Sequence, residues 1–91
     1  MITASYRFYA ELNEFLPVFL RQRRFRLLQC QGSTVMEIIE LLNIPHTEVD
    51  LVLVNGEPAD FSCRVQADDR ISVYPLFSAI DISPLNRIKR A

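Results

Sequence analysis

Two stretches of alternating apolar and polar residues predict the strands around which the chain folds. Residues 3–10 and residues 70–76 each change character at every position. The apolar sides carry Tyr6, Phe8, Ala10, Ile71 and Val73, and the opposite sides carry Ser5, Arg7, Tyr9, Ser72 and Tyr74. A period of two is the spacing of a β-strand that turns one face to a core. We therefore expect one strand near each end of the folded region.

Residues 34–42 carry the period of an amphipathic α-helix. Thr34 is the expected N-cap, because Glu37 three residues later completes a capping box. The apolar stripe that follows consists of Val35, Ile38, Ile39 and Leu42. Asn43 and Pro45 should end the helix, since proline cannot continue it. This is the one main helix that the sequence predicts.

Three shorter segments complete the predicted sheet. Residues 25–30 form a second strand, which pairs with the first as a hairpin across a long basic connection. The aliphatic run at 51–54 suits a short strand that is buried on both faces or lies beside a covering element. Asn55 and Gly56 suit a tight turn, and the proline-containing segment 57–61 suits an edge strand.

The order of these elements predicts an α+β fold of two layers. A mixed sheet of four to five strands should pack on the single main helix. The last strand is expected to pair parallel to the first, with the helix crossing over the sheet between them. This arrangement is a β-grasp.

Short motifs spread over nearly the whole chain resemble those of ubiquitin-like β-grasp proteins. They lie at residues 7–13, 45–50, 54–58, 73–75 and 81–85, and include Val-Asn-Gly-Glu-Pro and Val-Tyr-Pro. The pattern is similar to that of the small sulfur carriers of molybdopterin and thiamine synthesis. It more closely resembles the ubiquitin-like domain that precedes the Mut-seven C-terminal RNase domain in bacteria.

The resemblance implies a domain boundary and a biological context. It places the ubiquitin-like domain at residues 1–78 and a C-terminal tail or linker at residues 79–91. In the family a nuclease-like domain usually follows. Its acidic cluster and zinc ribbon are not part of this sequence, so we expect a free-standing version or an excised domain.

One departure from the sulfur carriers bears on function. Those proteins end in Gly-Gly, because an extended tail without side chains must enter a partner's active site. This chain has only Gly32 and Gly56, and Ser78-Ala79 stands near the corresponding position. Sulfur transfer by a degenerate carrier is therefore the weakest of the functional hypotheses.

Composition indicates one small globular domain in a reducing compartment. The chain has 91 residues, 49% hydrophobic and 23% charged, with a formal net charge of −1. That charge gives no overall field to recruit nucleic acid. We find no signal peptide and no apolar run of about 18 residues. Cys30 and Cys63 are too few for a disulfide scaffold, so a cytoplasmic location is expected.

The residues with catalytic or metal-binding chemistry do not form a recognisable pattern. His46 is the one histidine, and its acidic neighbours Glu48 and Asp50 supply no second ligand at metal spacing. Asp68 and Asp69 stand where a turn is needed, which aspartate favours. Asp60, Asp68 and Asp69 together could be interpreted as a divalent-metal cluster, for which turn formation is the alternative. Ser62 and Cys63 lie in no nucleophile motif. We predict no enzymatic activity, no metal and no cofactor.

Positive charge is concentrated in two stretches. Seven of the ten basic residues are Arg21, Arg23, Arg24, Arg26, Arg87, Lys89 and Arg90. Between residues 27 and 69 the only basic residue is Arg64, against eight acids. One hypothesis is that the basic connection and the basic tail together bind RNA. The alternative is that both stretches are simply solvated.

The polar side of the two strands predicted at residues 3–10 and 70–76 is the other candidate surface. Arg7, Tyr9, Ser72 and Tyr74 should share the sheet face opposite the helix. Tyrosine and arginine are typical of interface centres, and ubiquitin-like folds typically recognise partners through this face. The alternative is that the chain's own residues 77–85 cover it.

We therefore expect a non-catalytic ubiquitin-like adaptor or accessory module. It would recognise a protein partner or assist an adjoining RNase domain in RNA processing, and direct RNA binding is the alternative. Exposed strand edges near residues 25–30 or 57–61 are able to pair between copies, so the oligomeric state is left open.

Overall fold

A mixed sheet and an α-helix form the two layers of the structure, a computed structural model that describes residues 1–76. The strands are β1 (Ile2–Phe8), β2 (Phe25–Gln29), β3 (Val49–Val54), β4 (Glu57–Ala59) and β5 (Arg70–Pro75), and the helix is α1 (Val35–Leu41). The order across the sheet is β2-β1-β5-β3-β4. The predicted α+β fold of a β-grasp is confirmed, with five strands.

The first and last strands pair parallel at the centre of the sheet, as predicted. Phe8 lies opposite Val73, and Arg7 lies opposite Ser72. The other neighbouring strands are antiparallel, including the β1–β2 hairpin. The parallel pair is central because β2 flanks β1 and β3 flanks β5.

The helix is capped at both ends by side-chain and backbone bonds. The Thr34 hydroxyl accepts from the Glu37 backbone N–H at 3.2 Å, and the Glu37 carboxylate accepts from the Thr34 N–H at 2.7 Å. At the other end Asn43 has a φ of 62°, and the Ile44 N–H donates to the Ile39 carbonyl. That pattern is a Schellman motif in which asparagine replaces the usual glycine.

The apolar stripe of α1 packs on the aromatic side of β1 and β2. Val35, Ile38 and Ile39 are buried, and Leu42 is partly buried. Full burial of each side chain contributes about 1.5–3 kcal/mol before conformational entropy is counted. The rings beneath the helix, those of Tyr6, Phe8 and Phe25, stack with centroids 6.2 to 6.4 Å apart.

A buried polar pair lies within this core. The Tyr6 hydroxyl donates to the Gln29 side-chain carbonyl, and both residues are buried. Burial raises the pKa of Tyr6 well above its ordinary range, so the hydroxyl keeps its proton. The Gln29 Nε2 atom has no acceptor among residues 1–76.

The β1–β2 connection is ordered by its own contacts. It contains 3-10 helices at Ala10–Phe15 and Val18–Leu20. Leu12 and Leu16 enter the core. Asn13 is buried and accepts from the Gln22 N–H at 2.7 Å. The exposed large apolar side chains of the connection are those of Phe15, Val18 and Phe19.

Two details of the sequence prediction are wrong. β1 ends at Phe8, because Ala10 has a φ of 51° and turns the chain away, so Ala10 is exposed and outside the core. Of the two alternatives for β3, burial on both faces is not found, since Leu51 and Leu53 are only half-buried. An irregularity in pairing after Val49 shifts the alternation of this strand.

Replacing Thr34 by alanine removes one half of the capping box. We expect Thr34→Ala to lower the free energy of unfolding by about 1 kcal/mol, measured by urea denaturation followed by circular dichroism. Thr47→Ala is the matched control, because Thr47 is exposed and its side chain makes no hydrogen bond within the described chain. Equal losses in the two variants would contradict the role of the cap.

Replacing Tyr6 by phenylalanine leaves the buried Gln29 amide without its donor. We expect Tyr6→Phe to cost about 1–3 kcal/mol of unfolding free energy. Adding Gln29→Leu should recover most of that loss, because neither buried polar group then lacks a partner. A double variant that is less stable than Tyr6→Phe in the same denaturation assay would show that the pair is not coupled.

Candidate functional site

The four residues predicted for a binding face do come together. We call the side of the sheet away from α1 the outer face. Arg7 and Ser72 are direct neighbours across the parallel pair, and the Tyr9 N–H donates to the Val73 carbonyl at 3.1 Å. The Tyr9 and Tyr74 rings stack with centroids 4.4 Å apart and planes 7° from parallel. The four residues therefore form one continuous surface, and the binding of a partner to it stays a prediction.

Arg7 adds a cation to this aromatic pair. Its guanidinium carbon lies 5.1 Å from the Tyr9 ring centroid, within the range of a cation–π contact. The Arg7 Nε atom is buried and has no acceptor among residues 1–76. Partial burial, followed by the adjacent Tyr9 hydroxyl, raises the pKa of Tyr74, so this phenol is neutral at physiological pH.

Arg24 also lies on the outer face. Its Nη1 atom donates to the Ile71 carbonyl at 3.0 Å and to Ser5 Oγ at 3.4 Å. Its Nη2 atom donates to Ser72 Oγ at 2.8 Å. In the sequence, Arg24 belongs to the basic connection that is a candidate for RNA binding. In the structure it is half-buried against β1 and β5.

The alternation of side chains along β2 indicates that Arg24 lies on the outer face. Phe25 points into the core and lies opposite Tyr6. The residue before Phe25 must therefore point to the other side, toward Ser5 and Arg7. Extending the second predicted strand by one residue would have placed Arg24 on the outer face.

The other arginines of residues 21–26 also have partners within the described chain. Arg21 donates to the carbonyls of Leu16 and Glu14, at 2.9 and 3.4 Å. Arg23 donates to the Phe19 carbonyl at 3.3 Å. Arg26 forms an exposed ion pair with Asp68 at 3.1 Å. The predicted RNA-binding residues Arg87, Lys89 and Arg90 lie outside the described residues, as does the segment 77–85 that was considered as a cover. RNA binding stays a prediction.

A hollow of about 450 Å³ opens beside the tyrosine pair. Its walls are formed by Tyr9, Arg24, Asn55, Gly56, Arg70 and Ser72. The Asn-Gly turn at its rim has positive φ at both residues, as predicted for a tight turn. The Asn55 side chain fixes this rim, because it donates to Asp69 and accepts from the Arg70 N–H, both at 2.9 Å. No short motif in the sequence predicted the hollow, which depends on four separate segments of the chain.

The hollow is positively charged, because Arg24 and Arg70 line it and neither has an acidic partner among residues 1–76. Loss of hydration, followed by the charge of nearby Arg70, lowers the pKa of Arg24 from its ordinary value, although an arginine stays protonated. The salt bridge found within residues 1–76 joins Arg26 to Asp68. Neither of the hollow's arginines is therefore paired with a described carboxylate.

The residues considered for catalysis or metal binding are dispersed. His46 is exposed at the start of a short 3-10 helix (His46–Glu48), with its ring edge toward Phe61 at 6.1 Å. Asp60 accepts from the Ser62 hydroxyl and N–H, which lowers the pKa of this carboxyl. Asp68 has a φ of 66° and Asp69 accepts from the Gln66 N–H, in accord with a turn.

The described residues offer neither a grouped metal site nor a membrane-spanning helix. Within residues 1–76, no three histidine, cysteine or acidic side chains are grouped so that they could hold a metal ion. No helix in the same range is long and apolar enough to cross a membrane. Cys30 is exposed and Cys63 is half-buried, and both are free thiols.

Comparison with solved structures places the fold among small ubiquitin-like proteins. The small archaeal modifier protein 1 of Haloferax volcanii is 21% identical, with a TM-score of 0.62 over 82% of this chain and 98% of its own. A putative molybdopterin converting factor, subunit 1, from Pyrococcus furiosus is 14% identical, with a TM-score of 0.63 over the same shares. At these identities the similarity shows the fold alone.

Sequence comparison identifies the family. No curated protein matches the chain. The family model described as Mut7-C ubiquitin matches residues 1–81, which include every strand and helix described above. The chain therefore belongs to the Mut7-C ubiquitin family.

Proposed function

We propose that this domain is a non-catalytic adaptor or accessory module that binds a protein partner, or an adjoining RNase-type domain, through its outer face. The observation that carries the proposal is the stacked pair of Tyr9 and Tyr74 on that face. Arg7 lies over the Tyr9 ring of this pair. The core side of the sheet is covered by α1, so the outer face is the sheet surface open to a partner among residues 1–76.

The chemistry of the pair suits a binding site for protein. Tyrosine and arginine are enriched in the residues that dominate binding free energy at interfaces. Both rings are half-buried and held against each other, so little side-chain entropy is lost when a partner covers them. A tyrosine side chain also presents an apolar ring with a hydroxyl at its edge, which suits an interface that is apolar inside and polar at its rim.

The non-catalytic part of the proposal rests on the dispersal of reactive groups. The exposed His46 has an aromatic neighbour in Phe61. The hydroxyl of Ser62 is bonded to Asp60, which holds a turn. A general base must lie within hydrogen-bond reach of the group it activates. Within residues 1–76 no hydrogen bond joins His46 to a nucleophile. The Asp60 carboxylate does accept from the Ser62 hydroxyl, but the hydrogen bonds from Ser62 lower the pKa of this carboxyl, which makes it a weaker base.

The family also carries the context of the proposal. The name Mut7-C ubiquitin supports association with an RNase-type domain, either in the same chain or in a separate protein. The similarity to a putative molybdopterin converting factor supports a shared scaffold, and Ser78-Ala79 near the position of the carriers' Gly-Gly argues against shared transfer chemistry.

Removing the two rings should abolish capture of the partner. The immobilised 91-residue chain is expected to capture a specific protein from the lysate of its source organism. The double variant Tyr9→Ala/Tyr74→Ala should capture about one tenth of that amount or less, which is the usual size of a hot-spot effect. Quantitative mass spectrometry measures the captured protein.

Phe19→Ala is the matched control, because it removes an exposed aromatic ring from another part of the surface. Circular dichroism checks that each variant is folded. Nuclease treatment of the lysate should leave capture unchanged. Equal capture by the tyrosine double variant, or capture that disappears with nuclease, would contradict the proposal, and the second result would favour RNA binding.

A further inference from the structure

The hollow beside the tyrosine pair gathers positive charge that the described chain does not neutralise. Arg24 and Arg70 both line it, and Arg7 is the residue opposite Ser72 on the neighbouring strand. From this arrangement, and resting on the proposed function, we propose that the hollow binds a carboxylate group of an acidic segment in the partner protein.

Arg24 is held in place before any ligand arrives. The Ile71 carbonyl and the hydroxyls of Ser5 and Ser72 accept three of its hydrogen bonds. A guanidinium has five N–H donors, so donors remain for an acceptor from outside. The contacts orient the planar group at the sheet surface, which lowers the entropic cost of a bidentate bond.

The two acidic residues that precede Arg70 in the sequence already have partners within the described chain. Asp69 accepts from the Asn55 amide with one oxygen and from the Gln66 N–H with the other. Asp68 is paired with Arg26. Two guanidinium groups of like charge therefore share the hollow, and their proximity is unfavourable until an anion lies between them.

The size of the hollow favours a carboxylate on a peptide over the backbone of RNA. Binding of RNA needs a row of cations that follows successive phosphates. The neighbouring Arg21 and Arg23 donate to carbonyls of their own connection. One guanidinium instead matches the two oxygens of a single carboxylate with parallel N–H donors, and a second cation in the same hollow adds to the attraction. The tyrosine pair beside it offers apolar contact for the residues that flank the acid.

An NMR titration of the 91-residue chain tests this inference. The probe is a hexaglutamate peptide with acetylated and amidated ends, and hexaglutamine with the same ends is the neutral comparison. We expect hexaglutamate to shift the amide signals of Asn55, Gly56, Arg70 and Ser72, and hexaglutamine to leave them in place. Loss of one charged hydrogen bond should weaken the hexaglutamate affinity roughly tenfold.

Arg24→Gln and Arg70→Gln should each show that loss, whereas the control Arg26→Gln should bind as the natural chain does. Arg70 is exposed, so its variant remains informative if Arg24→Gln disturbs the fold. The inference is overturned by an absence of shifts at these residues, by equal weakening in Arg26→Gln, or by tighter binding of a uridine octamer at equal charge concentration. Capture of a protein that depends on the tyrosines, together with any of these results, would leave the proposed function standing without the carboxylate site.

Discussion

The parallel pairing of β1 with β5 is the constraint on which the rest of the structure depends. Because side chains alternate across a strand, this pairing fixes two surfaces at once. On the core side it sets Phe8 against Val73, and on the outer face it sets Arg7 against Ser72. A shift of one residue would exchange the two sets and bury an arginine beneath α1. The hydrophobic core therefore determines the register that assembles the candidate binding face.

The same pairing explains the position of Arg24 on the outer face. Its guanidinium is bonded to Ser5 on β1 and to Ile71 and Ser72 on β5, so it spans the central pair from the outer face. Partial desolvation of a charge is unfavourable unless hydrogen bonds offset it, and here neutral oxygens supply those bonds. The charge itself is left without a described counter-ion, which is the physical basis for expecting an anionic ligand.

Much of the fold followed from local patterns, because those patterns act over short distances. The alternation at 70–76 predicted β5, and the relation of Thr34 to Glu37 predicted the start of α1. The outer-face residues followed from the same alternation. The failures lie where backbone geometry departs from a simple period: Ala10 turns the chain at positive φ, and the pairing irregularity after Val49 changes which residues of β3 are buried. The hollow required contacts between distant segments, which no local pattern contains.

Hydroxyl-radical footprinting of the captured complex tests the central claim, that the outer face is the binding surface, most directly. The method measures how accessible individual side chains are to solvent. We predict that partner binding lowers the oxidation rates of Tyr9 and Tyr74, and leaves that of the exposed Phe19 unchanged. Protection of Phe19 with no change at the two tyrosines would contradict the account and move the binding surface to the β1–β2 connection.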